Sequence, residues 1–143
     1  MAPPVPDMAG YSGTPLIRKL GFLGVGPAVV MNPPRPYGDL LGEPVRITDQ
    51  PSHVPIPEGT RYLHLFTTFR AEMEAVLAAS RQRLAPAGMI WLSWPKKASK
   101  VPTDITEDTI RAVCLPMGYV DVKVCAVDEV WSGLKLVIRK QLR

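Results

Sequence analysis

A chain of 143 residues is one domain's worth, and a domain of that size buries roughly 68–70% of its unfolded surface, enough for an independent core. Its hydrophobic fraction of 46% and charged fraction of 21% exclude a disordered chain and a coiled coil. A net charge of +4 with a pI near 9.3 permits an anionic partner without requiring one, because a modest positive charge is ordinarily a solvated basic face.

Both proline and charge are distributed unevenly. Twelve of the 16 prolines lie at or before Pro57, so the first sixty residues read as loop-rich and the remainder as regular. Residues 1–60 carry 4 basic and 5 acidic side chains and residues 61–143 carry 13 and 8, which makes the positive charge a property of the second part. Two cysteines, Cys114 and Cys125, fit neither a four-ligand zinc site nor a disulfide scaffold and read as buried thiols. The first residues lack a basic and an apolar signal region, and the apolar run from Leu20 to Met31 is too short and interrupted to span a bilayer. A cytoplasmic protein with no membrane contact is expected, and its oligomeric state is left open.

In chain order, residues 1–10 form a Pro-rich tail and residues 11–143 a single domain. Ser12 is positioned to cap a short helix in which Pro15 suits the first turn, Arg18 and Lys19 the last, and Gly21 the stop. Gly21, Gly24 and Gly26 do not make a dinucleotide fingerprint, because they precede the strand Ala28-Val29-Val30-Met31 instead of coming after it. The turn after that strand, Asn32-Pro33-Pro34-Arg35-Pro36, is poor in the backbone donors that an anion cradle needs. A brief helix around Tyr37 to Leu41 and a strand over 44–48 ending near Asp49 come next. His53 lies in an exposed loop.

Tyr62 to Thr68 reads as a strand covered on both faces, with His64 a hydrogen-bonded core residue. The period then turns helical from Arg70 to Leu84, with Phe69, Met73, Val76, Leu77, Ser80 and Leu84 on the buried face. Ala85-Pro86-Ala87-Gly88 stops that helix, and Met89 to Trp94 completes a parallel strand-helix-strand crossover. The basic loop Pro95 to Val101 precedes a helix that runs to about Leu115, opened by an Asp104/Glu107 capping box. The last two alternating segments, 120–126 and 134–139, are separated by too few residues for a parallel crossover and must pair as an antiparallel hairpin.

This order of elements, with the Leu84-Ala85-Pro86-Ala87-Gly88-Met89 turn, resembles the class I methyltransferase version of the Rossmann fold. That likeness implies a three-layer α/β domain with a mostly parallel sheet, a C-terminal antiparallel β-hairpin, and too short a segment between Asp49 and Tyr62 for the usual extra helix and strand. Gly10-Tyr11-Ser12-Gly13-Thr14-Pro15-Leu16, Trp94-Pro95-Lys96-Lys97, Pro102-Thr103-Asp104 and Val127-Asp128-Glu129-Val130-Trp131-Ser132-Gly133-Leu134 together resemble a bacterial family, the domain of unknown function 3052. That second resemblance transfers no activity.

Ligands of open parallel sheets bind beyond the carboxyl ends of the strands. Applied here, the rule gathers Asn32, Thr68, Arg70, Trp94, Lys96, Lys97, Asp104, Asp128, Glu129 and Trp131 as candidates. The leading expectation is a non-enzymatic or degenerate methyltransferase-like domain without a cofactor, binding a small anionic ligand or a protein partner. In it Lys96 and Lys97 act as point charges and Trp94 or Trp131 as a flat wall. A second reading is an S-adenosylmethionine-dependent methyltransferase, with Asp49 on the ribose and Asn32 near the methionine end. A third is a nucleic-acid contact through Trp94, Lys96, Lys97 and Lys100, although three lysines are few for it. Against all three stands a rim in which Asp128 and Glu129 simply pair with Lys96 or Lys97 and Trp131 packs a hairpin end. No metal site and no Ser/His/Asp or Cys/His arrangement is apparent.

Overall fold

The computed structural model describes residues 14–22 and 27–143. The proline-rich tail, the capping role of Ser12, and Gly24 and Gly26 lie outside the described residues. Helix α1 is Leu16–Lys19, α2 Tyr37–Leu41, α3 Arg70–Ser80 and α4 Glu107–Cys114. The strands are β1 Ala28–Met31, β2 Thr48–Asp49, β3 Thr60–Phe66, β4 Leu84–Pro95, β5 Tyr119–Ala126 and β6 Trp131–Ile138. They form one sheet in the order β2-β1-β3-β4-β6-β5. β1 runs parallel to β2 and β3, β3 parallel to β4, and β6 antiparallel to both β4 and β5. This is the three-layer, mostly parallel architecture with an antiparallel C-terminal hairpin that the sequence pattern predicts.

The sheet alternation sorts apolar side chains into two cores. Leu63, Leu65, Ile90, Leu92 and Trp94 meet Met73 and Leu77 of α3 and Ile110 and Val113 of α4. On the opposite face Val30, Tyr62, Phe66 and Trp91 meet Leu20 after α1 and Tyr37, Leu40 and Leu41 of α2. The Trp91 indole donates to the carbonyl of Leu20 at 2.7 Å, tying the α1 end to the central strand. Gly133 of β6 lies where a Cβ would come within 3.1 Å of the Trp91 ring, so a side chain there would have to displace the indole.

Four local expectations are corrected. The strand over 44–48 is reduced to Thr48–Asp49, registered on Val29 and Val30 of β1. Pro44 lacks the N–H a ladder needs, while Val45 and Ile47 are packed against the core instead. Helix α3 ends at Ser80, and Leu84 belongs to β4, where it pairs with Thr60. From Thr60/Leu84 the register moves to Tyr62/Met89, so residues 85–88 bulge out of the ladder. Gly88 is the tight point of that bulge: an added Cβ would sit 3.0 Å from the Ala85 carbonyl oxygen.

Phe69, expected on the buried face of α3, is its extended N-cap residue and is 67% exposed. The helical stripe does not reach a residue that lacks helical φ and ψ. Finally, α4 is capped by Thr106, whose Oγ accepts from the Thr109 N–H at 3.1 Å. Asp104 is used elsewhere.

His64 is fully buried on β3. Its Nδ1 meets the Tyr37 hydroxyl at 2.7 Å and its Nε2 the Ser93 hydroxyl at 2.7 Å, while Tyr37 and Tyr62 share a further hydrogen bond. Helix α2, β3 and β4 are thereby linked by one polar chain through the apolar core. Burial lowers the His64 pKa from 6.5 to about 3, and it pushes both tyrosine hydroxyls well above their usual value. Between those two pH values the unfolded chain binds a proton at His64 that the folded chain does not. Stability is therefore full above pH 6.5 and falls as the pH drops through the window, by up to about 1.4 kcal/mol per pH unit from this group. Urea unfolding between about pH 7.5 and pH 5, above the carboxylate range, is expected to show this slope, and His64→Gln to remove it.

Candidate functional site

The carboxyl ends of the parallel strands converge on one edge, but the candidate residues there fall into three groups. The first lies at the crevice between β1 and β3, where the strand order switches direction. Asn32 follows β1 with a left-handed φ of 56°, a conformation that asparagine adopts more readily than most residues. Its amide donates to the Phe66 carbonyl at 3.0 Å and to Glu72 Oε2 at 3.2 Å. The Ser52 hydroxyl donates to the same carboxylate oxygen. Burial raises the Glu72 pKa, but hydrogen bonds from Ser52, Thr67 and Asn32 outweigh it and hold the carboxyl below its usual range. Glu72 is thus ionised and surrounded by neutral donors. One strand outward, Asp49 ends β2 beside Val30, exposed and without a side-chain partner among the described residues.

The second group joins the loops after β3 and β4. Asp104 Oδ1 accepts the Arg70 N–H at 2.7 Å, capping α3 from outside the helix. Thr103 donates its hydroxyl to the Thr68 carbonyl at 2.8 Å. The Arg70 side chain lies along its own helix against Glu74 at 3.3 Å. Thr68, Arg70 and Asp104 therefore do meet, as the strand-end rule predicts, but in a loop-locking arrangement.

The third group sits between β4 and the hairpin. Lys96 donates its backbone N–H to the Val130 carbonyl at 2.8 Å, which brings the lysine loop against Asp128-Glu129. The lysine–Asp128 pair, the alternative to a binding rim, does not form. Asp128 Oδ1 instead accepts the Val130 and Trp131 N–H groups, both at 2.8 Å, and Oδ2 faces the Arg35 guanidinium at 3.5 Å. Lys96, Lys97 and Lys100 form no ion pair with a described residue, and Glu129 is exposed. Trp131 is half-buried, its ring edge-on to Phe66 with centroids 5.4 Å apart. Trp94 is a correction: at 6% exposure it packs into the core on the α3/α4 face and has no free ring face for a ligand wall or a base.

Several participants were not legible in the sequence. Glu72 looks like an ordinary first-turn helix acid, and Ser52 and Arg35 belong to proline-punctuated loops with no periodicity. Only the fold brings them together. Cys114 and Cys125 are buried free thiols, as expected, and burial pushes Cys114 up to about 11, which keeps it an inert thiol. Among the described residues no group of three His, Cys, Asp or Glu side chains is arranged for a metal, and no helix is long and apolar enough to cross a membrane.

The cap on α3 is directly testable. Asp104→Ala leaves the Arg70 N–H without its acceptor and is expected to cost about 1 kcal/mol in urea unfolding, with Asp104→Asn recovering most of it.

No family model matches the chain, and no curated protein matches it in sequence. Solved structures do match in fold. The chain is similar to a structure titled as a DhpI–SAH complex, with a TM-score of 0.58 at 9% identity over 87% of this chain and 82% of that one. It is also similar to LepI in complex with SAM, with a TM-score of 0.56 at 12% identity over 87% of this chain and 39% of that one. An O-methyltransferase, NcsB1 from neocarzinostatin biosynthesis, in complex with S-adenosyl-L-homocysteine and 1,4-dihydroxy-2-naphthoic acid, gives a TM-score of 0.51 at 8% identity over 64% of this chain. The chain spans 39% of the length of LepI and 33% of that of NcsB1. At these identities the likeness is one of fold, a class I methyltransferase-like α/β domain. It overturns the expectation of a domain type without a cofactor, since the neighbouring structures named hold SAM or SAH.

Proposed function

We propose that this chain is an S-adenosylmethionine-binding domain of the class I methyltransferase type, taking the cofactor over the carboxyl ends of β1, β2 and β3. The observation that carries this reading is Asp49, an exposed carboxylate without a side-chain partner among the described residues. It ends β2 next to the strand-order switch, where nucleoside ligands of such sheets lie. Asp49 accepts the two ribose hydroxyls. Ionised Glu72, neutralised by no described cation, favours the positively charged end of the ligand.

The β1 loop fits less closely. Pro33, Pro34 and Pro36 leave Arg35 as the one backbone donor between residues 33 and 36. The Arg35 guanidinium, half-exposed beside Asp128, replaces that backbone cradle as the group that meets the cofactor carboxylate. When bound, the cofactor supplies an electrophilic methyl group. The residues of this chain bind and orient it.

S-adenosylmethionine and S-adenosylhomocysteine at a hundred times their Kd are expected to stabilise the native state by about 2.7 kcal/mol, read as a rise in melting temperature. Asp49→Ala is expected to weaken S-adenosylhomocysteine binding roughly tenfold or more, as loss of a hydrogen bond to a charged group implies. No shift for the wild-type chain at millimolar ligand overturns the proposal.

Lys96 and Lys97, which form no ion pair with a described residue, support with Glu129 and Trp131 of the adjoining hairpin a second role: receiving an anionic second ligand or a protein partner beside the cofactor. This role is separable from cofactor binding. Lys96→Glu with Lys97→Glu is expected to leave S-adenosylhomocysteine affinity within about threefold; a larger loss in calorimetry places the lysines on the cofactor itself.

A further inference from the structure

The amino edge of the sheet, away from the proposed cofactor crevice, carries a cluster of cations around the turn between α4 and β5. β6 ends at this edge: Met89 pairs with Val137 there and Pro95 with Trp131 at the carboxyl edge, roughly 20 Å away at the usual rise per residue. Arg81 Nε donates to the Met117 carbonyl at 3.1 Å and Arg139 Nη2 to the Leu115 carbonyl at 2.8 Å, so two guanidiniums grip the same turn. Arg143 Nε donates to the Ile138 carbonyl at 2.9 Å, and Lys140 opens the 3-10 helix Lys140–Leu142 between those two arginines. Gly118 has a φ of 97°, and a Cβ there would lie 2.9 Å from Leu142 Cδ1 and 3.1 Å from Arg81 Nε, which places both side chains against the turn. Leu115 and Leu142 are 39% and 51% exposed. Two exposed leucines are thus set among four cations.

Each carbonyl takes one of the five N–H groups of its guanidinium. None of Arg81, Arg139, Lys140 and Arg143 forms an ion pair with a described residue. The C-terminal dipole of α4 offsets roughly half a charge and leaves most of the four uncompensated. Backbone anchoring holds the guanidinium forks in place beforehand, so less side-chain entropy is lost when they pair with carboxylates. Among the described residues the patch has no exposed aromatic ring of the kind that a stacked base or a membrane interface uses. We infer that this face docks an acidic peptide segment of a partner protein, with its carboxylates on the guanidiniums and an apolar side chain on Leu115 and Leu142.

Fluorescence anisotropy of the full chain with a labelled Glu-Glu-Leu-Glu-Glu-Leu peptide tests the assignment. Saturable binding that weakens with added salt is expected, and none for the Gln-Gln-Leu-Gln-Gln-Leu counterpart. Arg139→Gln combined with Arg143→Gln is expected to lower affinity by about tenfold or more. The Lys140 side chain has no hydrogen bond or ion pair with a described residue. Lys140→Glu is therefore expected to lower affinity about threefold or more at unchanged melting temperature, which separates docking from folding. S-adenosylhomocysteine affinity is expected to stay unchanged in both variants. Absence of saturable binding of the acidic peptide to the wild-type chain overturns the inference. So does binding that survives these substitutions, that is lost instead with Lys96→Gln/Lys97→Gln, or that is weaker than binding to phosphatidylserine vesicles or to a single-stranded DNA oligomer.

Discussion

Strand β3 must be buried on both faces and hydrogen-bonded on both edges, and the rest of the molecule is arranged to allow it. Its residues Leu63 and Leu65 are closed by α3 and α4, and Tyr62 and Phe66 by the α1/α2 side. Two polar residues of β3 are fully buried, Thr60 at its start and His64 in its middle. An unsatisfied imidazole in such a place costs several kcal/mol, and the molecule meets both ring nitrogens, with Tyr37 from α2 and Ser93 from β4. The position of α2 and the register of β4 are thus coupled through a single side chain.

At the carboxyl edge the same economy of hydrogen bonds limits what is free to bind. Asn32, Ser52 and Thr67 commit their polar atoms to Glu72 and the β3 end, and Asp104 commits a carboxylate oxygen to the start of α3. Asp128 closes its own hairpin turn and meets Arg35. Among the described residues of this edge, Asp49 on one side of the switch, and Lys96, Lys97 and Glu129 on the other, have no side-chain partner. The proposed cofactor carries a diol at one end and charge at the other, and under the proposed function these lie on the two sides of the switch. The burial of Trp94 removes the ring that a stacked base would need.

The proline-rich loop after β1 is the clearest departure from a backbone-donor cradle. Three prolines in residues 33–36 remove N–H groups where an anion would meet them, and they also restrict the φ angles of the loop that leads into α2. Arg35 emerges from that loop toward Asp128 at 3.5 Å. Under the proposed function, backbone recognition is exchanged there for a single side-chain cation. The exchange suits a domain in which α2 is only five residues long, because so short a helix offers little dipole.

The amino-acid sequence alone determined the class of the fold: alternating strand and helix periods, a doubly covered β3 and a connection too short for a parallel crossover leave little else. It also determined that His64 is structural and that Cys114 and Cys125 are buried thiols, because those readings rest on local apolar context. Element ends were less legible. Leu84 leaves the helical stripe because Thr60 offers it a strand partner, and Asp104 abandons a local capping box for a helix start 34 residues away, choices that periodicity does not record. Only the tertiary structure decided which polar atoms remain free. Whether Asp128 pairs with a lysine or with Arg35, and whether Trp94 faces solvent or core, depends on strand register and pleat. A step of one residue along a strand reverses which face a side chain joins.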